Sequence, residues 1–475
     1  MTDPSAQVVS ASLLKYLYFA TTGSLAPYIK YLPLLLLHQA GSSSPGLSPT
    51  NVGYCLALFS LVNFTSSTFL LGPSLDRITN GTPPSLRPSK YRAAFLLSFL
   101  PNLLIALALL LLYLVPASPP SPLGPLLIPL LALFSLVTVG PSTILETVAI
   151  LSTKASRTSY GSLRLYGALG WGVCSWLSGI AADELSGGDD ELDDRERVAL
   201  AGSVYGFFLA SCLLSMLVVF VDPLAVDPLA PAPPPDDGTE QLLDAADRGD
   251  SEVFTEVEEG RVDTHSGQSS GSNPILSAPL LLLCSNLLVT GICVSFVESF
   301  LFAYISTAYA DSTNGFLGLL ILVMTLCEVP IFVYSKQIIK KLGIANVFSL
   351  SHLCYIGRVY LYTVIPQSRM WMFGLLEPLH AFVFAAMMCA AVEGGREMGG
   401  GDDKKQATIQ ALLRGIYYYV GLGVGSVLGG MLVDSRDDPI DGYRFMYRVG
   451  AVVLGAWSII YRLAAAYLSC RKPHQ

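Results

Sequence analysis

Charge is scarce in this chain. Asp, Glu, Lys and Arg make up 13% of its 475 residues, against 52% hydrophobic residues. Soluble domains carry about 25% charged residues, so a water-soluble globular class is excluded. The nine cysteines stand apart, eight of them inside apolar stretches, with no CxxC pair and no His/Cys cluster. That spacing excludes a zinc centre or redox pair and leaves small buried hydrophobes. No phosphate-cradling loop follows a strand-like segment. Gly421-Leu-Gly423-Val-Gly425 lies within an apolar run, so neither nucleotide hydrolysis nor a cofactor is implied. The short polar segments cluster no nucleophile or metal ligands, which argues against a membrane enzyme. Met1 to Ser10 has no basic n-region and no cleavage site, so the first apolar stretch is expected to be retained.

What the chain has is apolar length. Twelve candidate spans run over roughly 12–37, 51–73, 92–115, 124–152, 162–183, 199–221, 277–307, 313–336, 344–365, 370–393, 406–433 and 445–468. Runs of this length cross ~30 Å of hydrocarbon. They must be helices, because in lipid each backbone polar group has to pair within its own segment. Between the sixth and seventh lies a stretch rich in Pro, Asp, Glu, Gly and Ser. Residues 222–263 hold thirteen acids against Arg248 and Arg261. Such a segment has too little apolar surface to fold and is expected to be a disordered tether, with a regulatory or partner-binding role as the alternative.

The two sets of six are related. Gly170 to Asp183 recurs 251 positions later as Gly421 to Asp434, with seven identities that include Gly170/Gly421, Ser175/Ser426, Gly179/Gly430 and Asp183/Asp434. Small residues four apart let helix backbones approach closely. The expected fold is therefore an all-α membrane protein of twelve transmembrane helices in two pseudo-symmetric six-helix bundles. Residues 1–221 form the N-terminal bundle, 222–276 the acidic linker and 277–475 the C-terminal bundle.

Basic residues set an expected orientation. With the N-terminus in the cytoplasm, the inner loops carry Arg77, Arg87, Lys90, Arg92, Lys154, Arg157, Lys336, Lys340, Lys341, Arg396, Lys404 and Lys405. The loops after spans one, three and seven carry none, while Arg195, Arg197, Arg369, Arg436, Arg444 and Arg448 go against the trend. The balance puts both termini and the linker in the cytoplasm; plasma membrane and endomembrane fit equally.

Ionisable residues within the spans are costly and mark pathways. Glu146 lies eight residues before Lys154, and Arg164 seven after Arg157 on the next helix. Both are thus roughly 10–12 Å from the inner surface. Trp171, seven residues beyond Arg164, shares its face. An acid, an arginine fork and an indole suit a polyhydroxylated ring; a structural ion pair beside a packing tryptophan is the other reading. Arg358 and Glu377 likewise share a depth, with His380 one turn away, as either a proton relay or a fixed ion pair beside a hydrogen-bonded histidine. Glu298, Glu328, Lys30 and Arg414 are further charges in the spans. Glu328 is expected near Arg414, while Lys30 and Arg462 are expected to snorkel.

Several stretches resemble the major facilitator superfamily. Gly72-Pro-Ser-Leu-Asp76-Arg77, with Lys90 and Arg92 after it, resembles that superfamily's gating loop between helices two and three, here interrupted by Asn80 to Ser89. Tyr160-Gly-Ser-Leu-Arg164-Leu-Tyr-Gly167-Ala-Leu-Gly170-Trp171-Gly172 is similar to the lactose permease branch and to the associated-domain branch. In the permease branch the matching arginine and tryptophan, with a glutamate eighteen residues before that arginine, form the sugar site. The resemblance thus implies a solute site at Glu146, Arg164 and Trp171. Glu328-Val-Pro330 and Glu377-Pro-Leu-His380-Ala-Phe-Val-Phe384-Ala385 resemble the associated-domain branch. Arg358 and His380 approximately match residues that serve proton coupling in the permease branch. The permease's proton-carrying acid follows that histidine by three residues, where this chain has Val383, and Glu377 stands three before it. The resemblance implies a secondary transporter, a proton-coupled symporter of a small sugar- or nucleoside-like solute working by alternating access. Coupling falls to Arg358, Glu377, His380, Glu328 and Glu298. A non-transporting sensor or assembly factor on the same fold is the alternative.

Overall fold

Among the described residues, twelve long helices succeed one another in the order that hydropathy implies. The computed structural model describes residues 11–37, 47–83, 86–114, 123–155, 160–187, 192–221, 277–399 and 403–470. The first half holds α1 (Ala11–Leu37), α2 (Pro49–Thr65), α3 (Arg87–Leu114), α4 (Leu123–Ala155), α5 (Tyr160–Ser186) and α6 (Leu192–Val221). The second holds α7 (Ala278–Ala308), α8 (Asn314–Val333), α9 (Ile344–Tyr362), α10 (Met372–Gly399, broken at Glu377), α11 (Asp403–Asp434) and α12 (Pro439–Cys470). Among the described residues, ten helices are long and apolar enough to cross a membrane. The exceptions, α1 and α9, carry Lys30 in one and His352 and Arg358 in the other, which lowers their hydropathy. The acidic segment 222–276 and Met1 to Ser10 lie outside the described residues.

Among the described residues, three π turns interrupt the α-helical ladder. Ser66–Leu71 extends α2 into a helical Gly72–Gly81, Phe382–Ala386 lies in α10, and Ile416–Gly421 lies in α11. Each takes in an extra residue and so rotates the upstream part of its helix relative to the downstream part. The expected loop at Gly72 to Arg77 is therefore helix, with Arg77 exposed; the side chain of Asp76 lies outside those described.

Within the first half α1 packs on α5 and α6, and α3 on α4 and α6; within the second, α12 packs on α7 and α9. Aromatic clusters fill both interiors: Tyr28, Phe134, Tyr205 and Phe208 in one, Tyr304, Tyr362, Phe373 and Tyr447 in the other.

The halves meet along two seams, α5 against α8 and α11 against α2. A Cβ on Gly318 would run into the Ser175 carbonyl, and one on Gly53 into that of Ser426. One on Gly179 would meet the Asn314 carbonyl, and one on Gly430 that of Pro49. These are the same contact made twice. Ser175/Ser426 and Gly179/Gly430 are mates in the repeat, and their counterparts on α8 and α2 hold a constant spacing of their own. Each seam ends on an aspartate. Asp183 Oδ1 accepts the Asn314 amide at 2.8 Å and its Oδ2 the Gly315 amide at 2.7 Å, while Asp434 Oδ2 accepts the Thr50 amide at 2.8 Å. A helix start has unpaired amides and a positive dipole end, which is where a carboxylate is favoured.

Away from this aspartate end the halves still touch, through an ion pair between Glu146 of α4 and Arg414 of α11 at 3.9 Å whose side chains are 33% and 56% exposed.

Candidate functional site

At mid-depth the second half carries a chain of buried charge. α9 presents Arg358 and, one turn on, Tyr362; α10 presents Glu377 and, one turn on, His380. Arg358 Nη2 donates to Glu377 Oε2 at 2.6 Å, and the Tyr362 hydroxyl donates to Glu377 Oε1 at 2.8 Å. Both members of the Arg358–Glu377 pair are almost fully buried. Removing either partner would strand a charge in a dry interior. The guanidinium also lies over the Tyr362 ring, 5.4 Å from its centre.

The histidine's tautomer is set by its neighbour. Nη1 of Arg358 sits 2.8 Å from Nδ1 of His380. A guanidinium has donors only, so Nδ1 accepts and the ring hydrogen is on Nε2. Nε2 faces Glu328 Oε1 of α8 at 3.4 Å and Glu298 Oε1 of α7 at 3.9 Å. The ring stacks on Phe384, with centroids 5.8 Å apart.

Glu298 links this chain to the other half. Its Oε2 is held by Lys30 of α1 in an ion pair that crosses between the bundles. Lys30 is 6% exposed. It does not snorkel as the sequence implied, because its partner lies beside it at mid-depth rather than at the surface. A small recess opens here, lined by Lys30, Glu298, Phe302, Met324, Arg358 and Glu377. Five residues expected to act together (Arg358, Glu377, His380, Glu328 and Glu298) thus stand within one cluster of hydrogen bonds and charge contacts, joined by a lysine from the opposite half.

The other expected group is arranged differently. Glu146 of α4 pairs with Arg414. Trp171 is half-buried against the core along α5. Arg164 is helical in α5, and its side chain lies outside those described. Arg414 does not meet Glu328 as depth counting implied; Glu328 is 5% exposed and faces His380. A π turn at Ile416–Gly421 follows Arg414. It adds one residue between Arg414 and the repeat, so the spacing of 251 becomes one shorter upstream and Leu413-Arg414 falls on Leu163-Arg164. Arg414 is the second half's counterpart of Arg164, a relation visible only once the extra residue is known. Arg462, expected at the surface, is exposed and donates to Asn346 Oδ1 at 2.5 Å.

This arrangement of two six-helix bundles, with paired seams and charge at their meeting plane, is the fold of the major facilitator transporters. The model of the MFS_1 like family matches residues 8–445, and the chain belongs to that family. Among solved structures it resembles the nucleoside transporter NupG, with 11% identity, TM-score 0.66, and 95% of this chain and 98% of that one covered. It also resembles a bacterial homolog of the human lysosomal transporter Spinster, in an inward-facing and occupied conformation, with 11% identity, TM-score 0.59 and 96% of each chain covered. A bacterial homologue of the iron transporter ferroportin in an inward-facing state gives 13% identity and TM-score 0.57 over 95% of this chain and 98% of that one. No curated protein matches the sequence.

Proposed function

We propose that this protein is a secondary transporter that moves a small polar solute, sugar- or nucleoside-like, by alternating access coupled to protons. The observation that carries the proposal is the Lys30–Glu298 pair, which joins the two bundles at mid-depth beside the recess and the His380 cluster. A charge pair spanning two moving bodies is sensitive both to a proton and to a solute hydroxyl, and so can bias which packing of the halves is preferred. Residues 1–221 and 277–475 move as the two bodies, tethered by 222–276. Glu146, Arg164 and Trp171 take the solute from the first half, and Arg414 faces them from the second. Gly72, Asp76 and Arg77 act at the gate beside α2. Basic residues assign the aspartate end to the outside and both termini to the cytoplasm.

Uptake into proteoliposomes under an imposed inward proton gradient, screened over sugars and nucleosides, tests the proposal. Accumulation of at least one solute that collapses with a protonophore is the expected result. A chain that binds solutes yet carries none, with or without a gradient, is a sensor and not a transporter.

A further inference from the structure

Three carboxylates and one histidine in the cluster are candidates to carry the coupled proton. Given the proton-coupled reading above, on which this rests, we infer that Glu328 is the proton carrier and that His380 is a positioning donor which does not titrate in the cycle.

The assignment is by elimination on contacts. Glu377 is fixed as an anion by a short bond from Arg358 and a second from Tyr362. Glu298 is fixed as an anion by Lys30. His380 has no free nitrogen: Arg358 occupies Nδ1, and Nε2 already bears the ring hydrogen. A second proton on His380 would force a cation against the guanidinium. Glu328 alone has no cationic partner among the described contacts; what it has is the neutral Nε2–H of His380 at 3.4 Å, in a site where it is 5% exposed. A carboxylate buried without a cation is the one that gains most from a proton.

Charge balance agrees. With His380 neutral, the contact-linked cluster holds two cations, Lys30 and Arg358, against three carboxylates, Glu298, Glu328 and Glu377. It is one negative charge in excess, and a single proton neutralises it. A closed, water-free intermediate in which the halves pack over the cluster requires that neutrality. The proton comes from bulk water onto a Glu328 carboxylate oxygen when one side is open, and leaves to bulk water when the other is. His380 Nε2–H then turns from Glu328 towards Glu298 Oε1, 3.9 Å away, which couples the proton to the pair that joins the halves.

The surroundings of Glu328 are accounted for helix by helix. α10 brings His380 and Glu377, α7 Glu298, α9 Arg358 and α1 Lys30. From α11, Tyr417 is within electrostatic reach. α5 meets α8 through Gly172 against Leu322 and Thr325, and Arg164 stands two turns from Gly172 along α5. Cys327 is its neighbour on α8.

Infrared titration of the purified full-length protein in lipid, without any solute, tests the assignment. A protonated-carboxyl band that appears as pH falls is expected in the wild type, to be lost in Glu328→Gln and to persist in Glu298→Gln and Glu377→Gln. Survival of that band in Glu328→Gln, or its loss in Glu298→Gln or Glu377→Gln instead, overturns the assignment. In proteoliposomes Glu328→Gln is expected to lose proton-driven accumulation and keep solute exchange; undiminished accumulation also overturns it. The solute-free titration stands apart from the transport proposal: if no solute is ever carried, the band still reports on Glu328.

Discussion

Asp183 and Asp434 occupy equivalent places in the repeat and each caps a helix that belongs to the other half. Asp183 takes the amides of Asn314 and Gly315 at the start of α8, and Asp434 takes that of Thr50 at the start of α2. Each helix also has its own cap, Thr313 on the Phe316 amide at 3.1 Å and Ser48 on the Asn51 amide at 3.4 Å. The aspartates are therefore not needed to start the helices. Their place is to hold the halves together at one end.

Asp183→Ala and Asp434→Ala are each expected to weaken that end by about 1 kcal/mol, roughly a fivefold shift in how often it opens. Amide exchange read by mass spectrometry checks this. Protection should fall in the peptide that begins α8 for Asp183→Ala and in the peptide that begins α2 for Asp434→Ala. The seams are separate, so the double substitution should add.

Gly53→Val and Gly318→Val place side chains against the carbonyls of Ser426 and Ser175. Overpacking of this kind costs about 1–3 kcal/mol, and the strain is relieved by parting the seam. Spin labels across the aspartate end should report longer distances in both variants, with helix content unchanged.

Lys30→Met leaves Glu298 without its cation, and Glu298→Gln leaves Lys30, which is 6% exposed, without its anion. Each is expected to lower the unfolding temperature, the lysine-retaining variant more because its orphan is the deeper. The double change Lys30→Met/Glu298→Met should recover stability, since replacing both members of a buried pair is often neutral. Transport should stay lost in the double variant, which separates holding the fold from working the cycle.

Arg358→Lys tests the fork. The guanidinium serves Glu377 and His380 at once, at 2.6 and 2.8 Å. A single ammonium lacks that planar pair of donors, so His380 regains a free Nδ1. Coupling is expected to fail and the unfolding temperature to drop. Tyr362→Phe, which removes one donor to the Glu377 carboxylate, should cost about 1.5–3 kcal/mol and leave coupling in place.

Much of this was legible in residues alone, for identifiable reasons. Glycines and an aspartate repeated at one spacing encode a contact made twice, and such a contact needs two like halves. Arg358, Glu377 and His380 could be grouped because one helical turn separates the first acid from the histidine and depth fixes the arginine. Depth counting failed where the partner was set by packing between helices. It assigned Arg414 to Glu328 because a count of turns gives level and not facing, and Arg414 faces Glu146 of the other half. It sent Lys30 to the surface because the pairing with Glu298 lies between helices 268 positions apart. The capping by Asp183 and Asp434 was visible as identity in a repeat, but its partner amides belong to backbone, which sequence does not single out.

The most direct test of the account is a pair of spin-label distances in the full-length protein in lipid. One is taken across the aspartate end, between positions near Asp183 and the start of α8 at Asn314, and one across the opposite end, between α4 and α11 near Glu146 and Arg414. Acidification with a transported solute is expected to move the two distances in opposite directions in the same step, one end opening as the other closes. Two distances that move in the same direction, or that ignore solute and pH, contradict a rocking of the halves about the Lys30–Glu298 pair.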